Sequence, residues 1–203
     1  MTIPRGSTAL VLLDLQRDFL ASGGVYSRHG LPVSRIRSIV PVAARVAEAA
    51  RAAHLPVFAA NFTIYTSPAG KPLGLDHIVK ARPFLREEGF RLGTPGRELI
   101  PELPRPDYEI DKPRFSAFHG TPLELLLRSL GVDTVVLTGL TTHGSVEATA
   151  RDALIRDFSV VILEDGVAAF DEELHLNSLR GMGLYLTVMD SAEFLAAIGG
   201  VHA

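Results

Sequence analysis

The chain has 203 residues, enough for one substantial core, and its 47% hydrophobic and 21% charged residues exclude a disordered polymer. With 20 Lys and Arg against 23 Asp and Glu the formal charge is −3, and the basic residues are scattered, so neither nucleic acid nor an anionic membrane is an expected partner. Cysteine is absent, which excludes disulfides, thiolate-ligated zinc and thiol catalysis.

Residues 9–13 form the first apolar run, which reads as a buried strand ending on Asp14. It is far too short for a signal peptide or a membrane span, and no basic segment leads into it, so a cytoplasmic protein is expected. Residues 36–53, rich in alanine with apolar residues at helical spacing, predict a helix. Strands are predicted at 56–62 and 108–112. A helix follows at 122–130, with Thr121 placed as its N-cap. Residues 134–138 are the clearest strand. A helix at 146–156, a strand at 160–163, a helix at 172–182, a strand at 185–188 and a helix at 192–198 complete the chain.

Strand–helix alternation with nearly continuous apolar strands predicts an α/β fold, a parallel sheet covered on both faces. One domain, 1–203, accounts for the whole chain. The stretch 63–105 breaks the alternation with prolines and glycines, and a connection that long is expected to line or cover a site.

Ligands of an open parallel sheet sit at the carboxyl ends of its strands, which selects three segments. Asp14, after the first strand, could act as a general acid or base whose pKa is raised among apolar neighbours, or could simply cap a turn. Lys112 ends a short strand ahead of two aromatic residues. It could steady negative charge inside a pocket, or be a surface lysine beside Asp111. The glycine-bearing turn 139–145 leads into a helix whose backbone N–H groups suit an anion; Ser145 there is a reactive hydroxyl or an N-cap.

Together the three segments resemble the isochorismatase-like family of cysteine hydrolases. The first carries Asp14, Gln16, Asp18 and Phe19 in the pattern D-x-Q-x-D-F. The second carries Lys112, Ser116, Ala117, Phe118, Gly120, Thr121 and Leu123 in K-x-x-x-S-A-F-x-G-T-x-L. The third runs from Gly139 through Thr142, Val146, Glu147, Thr149, Ala150, Arg151 and Asp152 to Ala153. The resemblance implies a single-domain, Rossmann-like three-layer sandwich with a parallel sheet of about six strands. It implies an Asp–Lys–Cys triad that maps onto Asp14, Lys112 and Ser145, and a non-proline cis peptide at Leu140–Thr141 that aims backbone N–H groups at an oxyanion.

Ser145 stands where most members of that family carry the nucleophilic cysteine. Three readings follow. The serine belongs to an isochorismatase-type hydrolase in which Asp14 protonates the substrate without a covalent intermediate. Alternatively, it replaces an amidohydrolase's cysteine, by nature or by engineering. Or the protein is a binding module without catalysis. Gly144, where cysteine members usually have a bulkier apolar residue, favours a natural serine.

Phe19, Phe62 and Phe118 are expected to line the pocket with the Leu140, Thr141, Thr142, His143, Gly144 turn, although each phenylalanine could equally be core packing. No metal or other cofactor is expected. The metal-binding branch of the family has D-x-H after the second strand, whereas this chain reads Ala60-Asn61-Phe62-Thr63-Ile64-Tyr65. His77, His175 and His202 read as solvent-facing and His143 as a pocket residue. The expected partner is a small-molecule substrate, and the resemblance implies a homo-oligomer, dimer or tetramer.

Overall fold

The computed structural model describes residues 3–199. Six strands form one sheet: β1 (Thr8–Leu13), β2 (Val57–Phe62), β3 (Tyr108–Lys112), β4 (Thr134–Leu140), β5 (Ser159–Ala168) and β6 (Thr187–Met189). Their order is β3-β2-β1-β4-β5-β6 and every pairing is parallel. The order reverses between β1 and β4, so the chain diverges to opposite sides just beyond their carboxyl ends and leaves a crevice there.

The sheet needs cover on both faces because its central strands are apolar throughout; β1 and β4 are buried at every position. Alternate side chains serve alternate layers. Leu10, Leu12, Val57, Ala59, Val136 and Val161 pack with Ala43, Val46, Ala47 and Ala50 of α1 (Val40–Ala52) and Phe194 and Ile198 of the final helix (Ser191–Gly199). Val11, Leu13, Phe58, Val135, Leu137 and Ile162 face Leu123 and Leu127 of α2 (Leu123–Ser129), Ala150 and Ala153 of α3 (Glu147–Ile155) and Met182 of α4 (Glu172–Met182). This is the expected three-layer α/β sandwich.

Several boundaries differ from the sequence expectation for identifiable reasons. The helix expected at 36–53 is two pieces, Val33–Arg37 and Val40–Ala52, with Pro41 in the first turn of the second. A proline has no N–H and clashes with the preceding turn, so the helix restarts around it. The strand expected to end at residue 163 continues to Ala168 past an irregularity, where Glu164 and Asp165 are exposed and Thr138 Oγ1 donates to the Gly166 carbonyl. The last strand begins at Thr187 rather than residue 185, and Tyr185 is exposed. The N-cap position of α2 falls on Pro122, yet Thr121 Oγ1 still accepts the Leu123 N–H at 3.2 Å. The expected cap therefore acts one position early.

The 63–105 stretch crosses the carboxyl edge of the sheet as a strap with three short helical turns, Asp76–Val79, Pro83–Arg86 and Pro95–Arg97. Buried Asp18 fastens it: its Oδ2 accepts the Phe90 N–H at 2.7 Å while Oδ1 accepts the Val25 N–H at 3.1 Å. Gly96 passes so close that an added Cβ would lie 2.2 Å from Asp18 Oδ2. Among the described residues no helix is long and apolar enough to cross a membrane.

Candidate active site

Asp14 is the first residue past β1 and adopts φ 58°, a left-handed conformation that Asp tolerates because its short polar side chain can bond locally. The turn lays its carboxylate across the neighbouring strand ends. Oδ1 accepts the Phe62 N–H at 2.9 Å, from the last residue of β2. Oδ2 accepts from Lys112 Nζ at 2.9 Å and from Ser145 Oγ at 2.6 Å. The turn-cap alternative is therefore replaced by a three-way contact between the ends of β1, β3 and β4.

Lys112 is the last residue of β3 and is wholly buried, not a surface lysine. Its ammonium has three N–H bonds and three acceptors: Asp14 Oδ2, Ser145 Oγ at 3.0 Å and the Arg114 carbonyl at 3.2 Å. It also lies 5.6 Å from the centre of the Phe62 ring. Burial pushes the Asp14 carboxyl above the ordinary carboxylate range, against the pull of Lys112 and the hydrogen bonds. The same burial pushes Lys112 down, with Asp14 opposing. Burial thus works against the charge on each group, and their mutual attraction works for it.

Ser145 is no N-cap. It lies inside a π-helical turn, Thr142–Val146, that precedes α3, and no side-chain cap bond forms there. Such turns widen the helix by one residue and recur at functional sites. Here the turn carries Ser145 Oγ onto Asp14. The Leu140–Thr141 peptide is cis, as the family resemblance implied, and the Thr141 carbonyl accepts the N–H groups of Gly144 and Val146. A Cβ at Gly144 would come within 2.5 Å of Thr141 Oγ1, so the glycine belongs to the packing of this turn.

A cavity of about 550 Å³ opens above Asp14 and Ser145. Phe19, Tyr26, Phe62, Phe115 and Phe170 form aromatic walls, and the strap contributes Ile78, Ala81 and Arg82. Thr141, His143 and Gly144 line the turn side, with Glu147, Ala148 and Arg151 of α3 beyond them and Asp171 and Leu174 completing the rim. Arg151 is held by Glu147 Oε1 at 2.7 and 2.9 Å. The His143 pKa is lowered, mainly by desolvation, so the imidazole is neutral at pH 7.

Of the expected pocket residues, Phe19 and Phe62 are on the wall, and Thr141, His143, Gly144 and Ser145 line the turn. Phe118 is not. It packs in the core under α2 and α3, 5.6 Å from Phe158, and its neighbour in sequence Phe115 takes the cavity position. Leu140 and Thr142 lie behind the wall, Leu140 in the core and Thr142 Oγ1 bonded at 2.7 Å to His175 Nδ1. His175, partly exposed, is thus tied to the site turn. His77 is half-buried, donating Nδ1–H to the Gly74 carbonyl at 3.1 Å with its ring against Phe62 and Phe115. His202 lies outside the described residues.

Sequence reading missed Tyr26, Phe170 and Arg82, which lie outside the three segments and meet them only through folding. Phe115, Glu147 and Arg151 were within reach: the first lies inside the Lys112 segment, and the other two are spaced i, i+4 on the helix after Ser145. Among the described residues no three His, Asp or Glu side chains gather as a metal site.

A family model described as Isochorismatase domain matches residues 8–193. The chain is 32% identical to ureidoacrylate amidohydrolase RutB of Methylobacterium radiotolerans, over 95% of this chain and 80% of that protein. The crystal structure of a cysteine hydrolase from Pseudomonas syringae pv. phaseolicola superposes with a TM-score of 0.86 at 25% identity, covering 98% of this chain and 95% of that one. N-carbamoylsarcosine amidase from Thermoplasma acidophilum gives a TM-score of 0.72 at 32% identity, covering 91% and 96%.

Proposed function

Since the chain belongs to the isochorismatase family of hydrolases, we propose that it hydrolyses a small polar or carboxylated molecule, with Asp14 as acid and base and without a cysteine nucleophile. The observation that carries this reading is the convergence of Lys112 Nζ and Ser145 Oγ, at 2.9 and 2.6 Å, on one oxygen of buried Asp14 at the cavity floor. Burial raises the Asp14 pKa, and a carboxyl so shifted is suited to give a proton to the substrate atom that must accept one. The carboxylate so formed, steadied by Lys112, then takes a proton from the attacking water. The cycle closes with Asp14 protonated again and one water consumed. In this scheme Ser145 orients the carboxyl and accepts a hydrogen bond from Lys112.

A second reading, hydrolysis of an amide or carbamoyl C–N bond with Ser145 as nucleophile, is favoured by one contact. Ser145 Oγ donates directly to Asp14 in the geometry of a nucleophile and its base, and amidohydrolases are among the relatives. A serine hydroxyl is much less acidic than a thiol, and a carboxylate is a weak base for it, which places this reading second. A binding module without catalysis would have to retain a buried charged pair for no chemical use, although burying one costs stability.

The test is an assay of the protein and its Ser145→Ala and Ser145→Cys variants on a panel of small amides, carbamoyl compounds and isochorismate. The Asp14 reading expects Ser145→Ala to keep activity within about tenfold, since an orienting hydrogen bond contributes on the order of 1 kcal/mol. A loss of about a thousandfold or more would move the assignment to covalent catalysis by Ser145. If only Ser145→Cys hydrolyses amides, the serine is a disabled nucleophile. Inactivity of every folded form would support the binding role.

A further inference from the structure

Among the described residues, Arg82 is the guanidinium of the cavity that forms no ion pair with an acidic side chain. Lys112 directs all three of its N–H bonds at Asp14, Ser145 and the Arg114 carbonyl, which leaves none for a ligand. Arg151 is held by two hydrogen bonds to Glu147. Arg82 donates Nη1 to the adjacent Ala81 carbonyl at 2.8 Å, hydrogen-bonds the Tyr26 hydroxyl and forms no ion pair among the described residues. Its guanidinium carbon lies 5.6 Å from the centre of the Tyr26 ring and 5.5 Å from that of Phe170. Those two rings are themselves stacked, 5.4 Å apart with 15° between their planes.

This is an arrangement for recognition. The two rings flank the guanidinium, and the N–H groups not bonded to Ala81 or Tyr26 can form charge-assisted bonds to a planar anion. Arg82 and the reactive floor share one cavity, with Phe19 and Phe62 on the wall beside Asp14. Flat apolar walls between a cation and a hydrolytic floor suit a planar body that carries an acid at one end.

We propose that Arg82 is the specificity-determining residue of this site, and that it takes the carboxylate of a small planar monocarboxylic acid whose other end reaches Asp14 and Ser145. The proposal rests on the hydrolase reading above for the fate of that other end, but carboxylate recognition is a property of binding alone. It also explains why the strap carries function as well as cover: Arg82 stands between two of its short helical turns, and Ile78 and Ala81 beside it line the same cavity.

The experiment measures binding of benzoate and of its neutral, non-hydrolysable counterpart acetophenone by calorimetry, to the whole protein and to its Arg82→Gln and Arg82→Lys variants. The unaltered protein is expected to prefer benzoate by about tenfold or more, the size of a charge-assisted hydrogen bond. Arg82→Gln should bring the ratio close to one mainly by weakening benzoate rather than acetophenone, and Arg82→Lys should keep part of the preference. A purely structural cation–π role would weaken both ligands together and leave the ratio intact. Equal affinity for the two probes, no binding of either, or a benzoate preference that survives Arg82→Gln would each overturn the assignment. No turnover is needed, so failure of the hydrolase reading would show in the substrate panel and not here.

Discussion

Replacing Lys112 by Met removes the cation from the buried pair while filling nearly the same volume, and Asp14 is left at 2% exposure with no counter-charge. Breaking a buried pair from one side costs about 3–5 kcal/mol when the remaining charge stays ionised. Asp14 has an alternative, which is to keep its proton, and this makes the cost depend on pH. Its folded pKa is already raised by burial, and losing the Coulomb attraction of Lys112 raises it further. A carboxyl whose pKa is raised on folding lends stability below its unfolded value, ~3.9, and loses it as pH climbs toward the folded value. In that window the unfolded chain releases the proton and the folded chain retains it, so stability falls by up to about 1.4 kcal/mol per pH unit. Urea unfolding at pH 5 and pH 8 should therefore show a modest deficit at pH 5, on the order of 1–2 kcal/mol from lost hydrogen bonds. At pH 8 the deficit should reach about 3–5 kcal/mol. The double variant Asp14→Asn/Lys112→Met carries no charge at either position and should recover at least half of the pH 8 loss. A deficit identical at the two pH values, or a double variant no more stable than the single one, would refute the electrostatic account of the pair.

The two phenylalanines of the Lys112 segment should separate cleanly. Phe118→Ala opens a void in the core under α2 and α3 and is expected to cost about 3–5 kcal/mol in chemical denaturation. Phe115→Ala, at a position 39% exposed on the cavity wall, should cost under about 1 kcal/mol yet raise KM for a cavity-bound substrate. Asp18→Asn offers one acceptor oxygen where two N–H groups wait, so about 1–3 kcal/mol should be lost. Amide exchange near Phe90 should quicken by about tenfold or more as the strap loosens; unchanged exchange there would show that Asp18 does not hold it.

The alternation of apolar runs and amphipathic segments was enough to establish an α/β sandwich, because a strand buried on both faces has to be apolar throughout and a covering helix has to repeat every three to four residues. The strand ends then located Asp14, Lys112 and the turn before Ser145, since a parallel sheet exposes its reactive edge at the carboxyl ends. What surrounds those positions came only with tertiary structure. A carboxylate at a strand end is a turn cap or an acid depending on what faces it, and here Lys112 and Ser145 arrive from residues 98 and 131 positions away. Phe115 and Phe118 are three residues apart and chemically identical, so which one meets the cavity depends on how the chain turns after β3. Arg82, Tyr26 and Phe170 carry no local signal because each acquires its role from contacts across the strap. The sequence by itself determined which layers form and which edge of the sheet carries the candidate site, because the first follows from periodicity along the chain and the second from the carboxyl ends of parallel strands. Only the tertiary structure decided which charges are paired, which aromatic residues line the cavity and where an unpaired guanidinium stands, because these are contacts between residues far apart in the chain.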